Sequence, residues 1–272
     1  MSLLATQRQE LILEQVRADG AVRVSDLVAR LGVSDMTVRR DLDVLARRRL
    51  VDKVHGGATA IELPSTDEPG FTAKSSRQLG EKLAIARAAA TLVSPGSAIG
   101  LSAGTTTHAL AVALRDVPDL TVVTNSVPVA DALEAPRRAD RTVILTGGVR
   151  TPSEALVGPL AVRALRSLHL DAVFLGVHGM SAAAGFTTPN LTEAETDRAL
   201  VESGQRLIVV ADHTKWGIVG ISSIVGLGDA DVLVTDEGLG EQARTLLAAE
   251  VDELVLAPLE PPEADPAVGE RA

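Results

Sequence analysis

Val33-Ser34-Asp35-Met36-Thr37-Val38-Arg39-Arg40-Asp41-Leu42, near the amino end of a 272-residue chain, is the stretch from which the rest can be read. Ser34 has the side chain of an N-cap, and the helix predicted from Asp35 to about Arg48 carries Val38, Leu42 and Leu45 at i, i+4 and i+7. At 100° per residue these three fall within about 60° of one another. Arg40, Arg47 and Met36 lie on the opposite side, with Thr37 and Arg39 flanking. Such a helix buries one face and offers the other outward. The major groove of DNA admits one α-helix, and an Arg fork can bridge guanine O6 and N7 or clamp a phosphate. Ser34 and Thr37, at the helix N-terminus, suit a phosphate oxygen. Taken alone, the same residues also read as a solvated helix face, with the arginines of 39–49 paired to Asp41 and Asp43.

The neighbouring sequence favours DNA. Ser25 is placed to cap a second helix that turns Leu27, Val28 and Leu31 inward and stops at Gly32. A first helix, with Leu11, Ile12 and Val16 as its stripe, ends at Asp19-Gly20. Two helices joined by a short Gly-containing turn make a helix-turn-helix. Leu50-Val51 and Lys53-Val54, followed by His55-Gly56-Gly57, predict a short hairpin after it, a wing. Charge follows the same division. Residues 1–57 hold ten Lys/Arg against eight Asp/Glu, whereas residues 58–272 hold sixteen against twenty-eight, within a net charge of −10. An acidic body repels phosphate backbones, so only the amino-terminal piece can face one.

Composition removes several function classes. Apolar residues are 46% of the chain and charged residues 23%, which supports a packed core and excludes disorder of the whole. There is no cysteine, hence no disulfide framework, thiolate zinc site, iron–sulfur cluster or cysteine nucleophile. Phe71, Phe174, Phe186 and Trp216 are the only aromatic residues, too few for a base-stacking platform. No apolar run approaches a membrane span and no signal pattern opens the chain, so a cytoplasmic protein with no membrane partner is expected.

Residues 59–78, with Pro64, Ser65, Thr66, Pro69 and Gly70 and no periodic pattern, read as a linker following a domain of residues 1–58. From residue 79 to 257 the chain alternates. Apolar bursts (Ala98–Leu101, Thr121–Thr124, Val143–Leu145, Ala172–Val177, Leu207–Val210, Val232–Val234, Leu254–Leu256) are separated by helical stretches such as Glu81–Val93, Thr106–Leu114, Pro159–Leu168 and Glu193–Glu202. Short β-branched runs between helices predict an α/β domain with a mostly parallel sheet covered on both faces. Residues 258–272, rich in Pro, Glu and Ala, are expected to be disordered.

In that larger domain, Ala98-Ile99-Gly100-Leu101-Ser102-Ala103-Gly104-Thr105-Thr106-Thr107 passes from a strand into a helix. Open α/β sheets bind ligands at strand carboxyl ends, and the helix start offers free N–H groups to an anion. Gly104 permits close approach, and the hydroxyls can donate to phosphate oxygens. The run is not a Walker loop, and locally it reads equally well as a Thr-rich helix start. Thr124-Asn125-Ser126, Thr146-Gly147-Gly148, Gly176-Val177-His178-Gly179 and Asp212-His213-Thr214-Lys215 close other strands with small or polar residues, forming a rim. Lys215 reads either as a point charge for phosphate or as a solvated loop lysine. Glu193, opening a helix, suits that helix's dipole. The five histidines show no metal-binding spacing and no Gly-x-Ser-x-Gly elbow exists, so neither a metal, a cofactor nor a hydrolase triad is expected.

Gln7-Arg8-Gln9-Glu10, Val22-Arg23-Val24-Ser25-Asp26-Leu27, the Thr37-Val38-Arg39-Arg40-Asp41-Leu42 run and His55-Gly56-Gly57-Ala58 together resemble the DeoR-type bacterial transcriptional regulators. The likeness extends to about residue 257. It implies a winged helix-turn-helix in which Ser34, Thr37, Arg39 and Arg40 face operator DNA. It further implies a sugar-phosphate sensor domain related to the ribose-5-phosphate isomerase and glucosamine-6-phosphate deaminase folds. There the resemblance assigns the phosphate cradle to Gly104–Thr107, beside Ser102, with Asn125, Gly147, Glu193 and Lys215 around the sugar. Two departures stand out: Ser102 replaces an Asp common ahead of the Gly-Thr-Thr run, and Gly179-Met180-Ser181 replaces Gly-Ile-Asp. Both remove a carboxylate, which opposes proton-transfer chemistry.

The expectation is therefore a transcriptional repressor of sugar-metabolism genes, not an enzyme. It would contact DNA through Ser34, Met36, Thr37, Arg39, Arg40, Arg47, His55, Gly56 and Gly57 and be controlled by a phosphorylated sugar. A single recognition helix reads few base pairs, which predicts a homodimer or homotetramer. The competing readings are a phosphosugar isomerase or deaminase fused to a DNA-binding domain, and an architectural DNA binder.

Overall fold

The computed structural model describes residues 4–19, 21–48, 50–59, 65–68, 70–135 and 138–259. Gly20, Arg49, Pro64, Pro69 and all but the first two residues of the expected tail lie outside that set. The chain divides into two compact units, Met1–Pro64 and Ser65–Ala272. No helix among the described residues is long and apolar enough to cross a membrane.

The first unit runs α1 (Ala5–Asp19), β1 (Ala21–Arg23), α2 (Val24–Leu31), α3 (Asp35–Arg47), β2 (Asp52–Val54) and β3 (Gly57–Thr59). Its core is Ile12, Val16, Val22, Val24, Leu27, Val38, Leu42, Leu45, Val51 and Ala58. The apolar stripe of α3 thus fills the center, as its spacing demands. Gly32 ends α2 in the left-handed conformation, its amide donating to Val28 O at 3.1 Å. Ser34 caps α3, accepting from the Thr37 amide at 3.3 Å.

Two local details differ from the sequence reading. Helix α2 begins one residue before Ser25, on an extended Arg23, and Ser25 Oγ bonds its neighbour Asp26 instead. The cause is strand β1, which ends at Arg23 and passes directly into the helix while the Val24 amide donates to Gly56 O at 2.9 Å. The wing is also displaced: its strands flank His55-Gly56, Val51 is core, and β3 lies between β1 and β2 in an antiparallel three-stranded sheet.

The second unit opens with α4 (Phe71–Ser75) and α5 (Leu79–Ala90), so the stretch read as linker holds a helix. Then follow β4 (Ala98–Leu101), α6 (Thr105–Ala113), β5 (Thr121–Thr124), α7 (Val127–Glu134), β6 (Thr142–Leu145), β7 (Val149–Arg150), β8 (Leu156–Val157), α8 (Pro159–Leu165) and β9 (Ala172–Gly176). The chain continues through β10 (Gly179–Ser181), β11 (Gly185–Thr188), α9 (Leu191–Glu202), β12 (Leu207–Val210), β13 (Ser222–Val225), β14 (Val232–Asp236), α10 (Glu241–Glu250) and β15 (Glu253–Ala257).

Seven of these strands form one sheet in the order β15-β14-β12-β9-β4-β5-β6, parallel throughout. Alternation along each strand sends Phe174, Ile208, Val210 and Val232 into a core with α5, α6 and α7. It sends Val173, Leu175, Val209 and Leu233 into a second core with α8, α9 and α10. Helices on both faces explain why the strands are apolar on both sides. The strand order reverses between β4 and β9, and ligands of open α/β sheets bind in the crevice at such a reversal.

Candidate functional site

In the first unit the solvent face of α3 is built from the expected residues. Met36 is 80% exposed, Arg39, Arg40 and Arg47 are exposed, and Ser34 and Thr37 sit at the helix start with their hydroxyls 2.9 Å apart. The arginines are not equivalent. Arg39 bonds Asp35 through Nε at 2.5 Å, and Arg47 donates to the Asp43 carbonyl at 3.2 Å. Arg40 has no hydrogen-bond or ion-pair partner among the described residues.

The solvated-face alternative required Asp41 and Asp43 to neutralise these arginines. Asp41 instead points inward, where it takes an ion pair from Arg8 at 2.5 Å and a hydrogen bond from Gln9 at 3.0 Å. Asp43 takes Lys53 of the wing at 2.6 Å. That leaves α3 with net positive charge outward. His55 and Gly56 are exposed at the wing tip, Gly56 with φ of 81°. Gly57 departs from the expectation. It is buried between β1 and β2, where a Cβ would run into the Val22 carbonyl, so it serves strand packing rather than an outward contact.

In the second unit a cleft opens at the β4/β9 reversal. Gly104, Thr105, Thr106, Glu193 and Lys215, all singled out from sequence, line it together with Lys74, Ser153, His178 and Thr188. Gly104 precedes α6 with φ of 150°. The amides of Thr105, Thr106 and Thr107 have no acceptor among the described residues, so the start of α6 presents free donors.

Four expected residues do not line the cleft. Ser102 is buried behind it, its Oγ accepting from the Gly176 amide at 2.9 Å. Thr107 is buried and donates to Gly104 O at 3.0 Å, which tightens the helix start. Asn125 is buried and accepts from the Ala103 amide at 2.9 Å, fixing the loop that carries Gly104. Gly147, with φ of 72°, belongs to the turn after β6. Ser181 accepts from the Ala184 amide at 3.1 Å, within its own hairpin.

Lys74, Ser153 and Thr188 were missed. Lys74 donates to Ser153 Oγ at 3.1 Å, and Ser153 donates to Glu68 at 3.0 Å. These contacts join residues more than seventy positions apart, which no local pattern announces. The charges are strained by burial. It pushes Glu193 up to about 7, with Lys74 opposing, and one Glu193 oxygen is buried without a hydrogen-bond partner. Burial, then Lys215 and Lys74, push His178 down to about 4, leaving it neutral at pH 7. Burial also lowers Lys74. The cleft therefore combines two lysines and a helix N-terminus, which favour an anion, with one carboxylate oxygen able to accept a hydrogen bond from a hydroxyl.

Residues 8–63 match the DeoR-like helix-turn-helix domain and residues 77–237 the DeoR C terminal sensor domain. The chain is 37% identical to the uncharacterized HTH-type transcriptional regulator YgbI of Escherichia coli K12, over 93% of this chain and 98% of that protein. It is 33% identical to the glycerol-3-phosphate regulon repressor of the same organism, over 85% and 90% respectively. A slighter likeness, at TM-score 0.36 and 16% identity over 50% of this chain and 52% of the other, is to ribose 5 phosphate isomerase A from Neisseria gonorrhoeae. These named relatives of high coverage are regulators, which sets the enzyme reading aside. With both of its units matched, and relatives of the same kind along nearly its whole length, the chain belongs to the DeoR family of helix-turn-helix transcriptional regulators.

Proposed function

We propose that this regulator represses genes of sugar metabolism and that a phosphorylated sugar, held in the cleft of the second unit, sets its grip on operator DNA. The observation carrying the effector half is the coincidence, at the β4/β9 reversal, of free amides at the start of α6 with Lys74 and Lys215. A phosphomonoester satisfies these donors at once. Glu193 supplies the acceptor that a sugar hydroxyl needs. A relative named as a glycerol-3-phosphate regulon repressor supports both repression and a phosphoester theme.

For DNA, Ser34 and Thr37 receive a phosphate, while Met36, Arg39, Arg40 and Arg47 reach the groove and His55-Gly56 at the wing tip touches the backbone. Each bidentate contact discriminates by only about 1–3 kcal/mol, so two or more copies on repeated half-sites act together as a homodimer or homotetramer.

Operator binding followed during titration with a panel of phosphorylated sugars tests this. At least one should shift affinity five-fold or more, a typical coupling of about 1–3 kcal/mol. Thr106→Val should lose that response while binding operator normally. A panel without effect on either DNA affinity or thermal stability would leave the second unit as an oligomerisation body only, since ligand at about 100 times its Kd stabilises by roughly 2.7 kcal/mol.

A further inference from the structure

The part of the second unit nearest in sequence to the DNA-binding unit is itself a wall of the cleft. The second unit begins at Ser65, and ten residues into it Lys74 already lines the cleft. The intervening segment is fastened to the cleft's own rim. Glu68 takes hydrogen bonds from Ser153 at 3.0 Å and from Asn190, the cap of α9, at 3.1 Å. The Phe71 amide donates to Pro152 O at 3.1 Å, and the Phe71 ring meets His108 of α6 edge-on at 5.6 Å.

Lys82 fixes the end of α4, its ammonium donating to the carbonyls of Lys74 at 2.6 Å and Arg77 at 2.5 Å. The ties of Glu68 and Phe71 end on or beside residues that line the cleft, and one of those of Lys82 ends on Lys74 itself.

Lys74 itself is under-compensated. It is half-buried, and among the described residues its ammonium has one hydrogen-bond partner, the neutral Ser153 hydroxyl; Glu193 and Glu68 act on its charge, and among the described residues neither forms an ion pair with it. One of its three donors is used. A desolvated ammonium in that state gains from an anion. Glu193, which lines the same cleft, has a second buried polar atom there, an oxygen without a hydrogen-bond partner.

We propose that Lys74 contacts the anionic group of the ligand directly, and that through this contact occupancy of the cleft is transmitted to residues 70–78, the chain leading back to the DNA-binding unit. The inference rests on the reading of the cleft as a phosphoester site, in which Lys74 is already a donor, and adds the segment that reports its occupancy through that residue. Lys82 is a positioning residue in this scheme, because it acts only through the carbonyls it holds. The structure thereby converts what composition suggests is a passive tether into a part of the sensor.

Hydrogen–deuterium exchange on the full chain tests it, with hexose 6-phosphates, pentose 5-phosphates, glycerol 3-phosphate and inorganic phosphate as probes. With a binding probe, exchange should slow in residues 102–108 and also in residues 70–78. Lys74→Gln should raise the Kd about tenfold or more, as expected for a lost hydrogen bond to a charged group. At saturation it should keep protection at 102–108 while losing it at 70–78, and Lys74→Arg should restore both. Protection at 102–108 with residues 70–78 unchanged in the wild type would overturn the proposal and leave the phosphoester reading intact. A Lys74→Gln Kd within twofold of wild type would also overturn it, and would leave the phosphoester reading to the α6 amides and Lys215. No protection at 102–108 with any probe would overturn the phosphoester reading, and this proposal with it.

Discussion

The side-chain oxygen of Ser102 accepts the amide proton of Gly176 at 2.9 Å, stapling the carboxyl ends of β4 and β9 where the strand order reverses. Ser102 lies where the resemblance leads one to expect an aspartate in contact with ligand, yet here it is buried and acts behind the cleft. Removing the hydroxyl leaves a part-buried amide without its acceptor. Ser102→Ala is expected to destabilise the second unit by about 1–2 kcal/mol, lowering Tm by a few degrees. Because Gly176 and Gly104 both line the cleft, ligand affinity should fall as well. Thermal unfolding and ligand titration of the variant check both; an unchanged Tm would mean the staple bears no load.

Arg40 is the α3 arginine that no described residue holds, and it points away from Val38, Leu42 and Leu45. Arg40→Ala should therefore cost about 1–3 kcal/mol of operator affinity with little effect on unfolding. If the contact is to phosphate rather than to a base, the slope of log K against log salt should shrink by roughly 0.9. Fluorescence anisotropy over a series of salt concentrations separates the two cases. Undiminished affinity would place the DNA on a different face.

Gly57 and His55 are neighbours in the wing with opposite expected behaviour. A methyl group at Gly57 meets the Val22 carbonyl, so β3 and β1 must part. Gly57→Ala should destabilise the first unit by about 1–3 kcal/mol and weaken DNA binding in consequence. His55→Ala, on an exposed turn, should weaken DNA binding while leaving unfolding unchanged. Chemical denaturation alongside operator titration distinguishes them. Equal stability of the two variants would show that the wing sheet tolerates separation.

Legibility tracked how local each signal was. The α3 stripe of Val38, Leu42 and Leu45, the Ser34 cap and the Gly104–Thr107 helix start are written within a few residues and stand as read. All seven apolar bursts became strands of one parallel sheet because a strand covered on both faces must be apolar throughout. Strand β1 escaped because three residues offer no period, and its existence moves the N-cap of α2 from Ser25 to Arg23. Lys74 escaped because a five-residue helix amid Pro, Gly and Ser resembles a linker until Ser153, seventy-nine positions on, binds its side chain. Asn125 and Ser102 read as parts of the cleft from sequence, but only packing shows that they hold its wall rather than face it.

The cleft also makes a pH signature that two variants can resolve. His178 has its pKa pushed down to about 4, first by burial and then by Lys215 and Lys74, with Asp67 and Glu68 opposing weakly. The unfolded chain therefore binds more protons at this position between pH 4 and about 6.5, so its contribution is present above that range and lost as pH falls through it. Glu193, pushed up to about 7, behaves oppositely: the folded chain binds more protons between about 4.5 and 7, and stability falls as pH rises across that span. Where the ranges overlap, from about pH 4.5 to 6.5, the two slopes oppose each other, each at most about 1.4 kcal/mol per pH unit. His178→Asn should expose the falling slope of Glu193, and Glu193→Gln the rising slope of His178. Urea unfolding at half-unit steps of pH measures both: variant minus wild type should fall with pH for His178→Asn, which loses its own rising term, and rise for Glu193→Gln, which loses its falling one. If the two difference curves were flat, neither group would be desolvated as the cleft requires; if they sloped in the same direction, the charges assigned to Lys74 and Lys215 around them would be wrong.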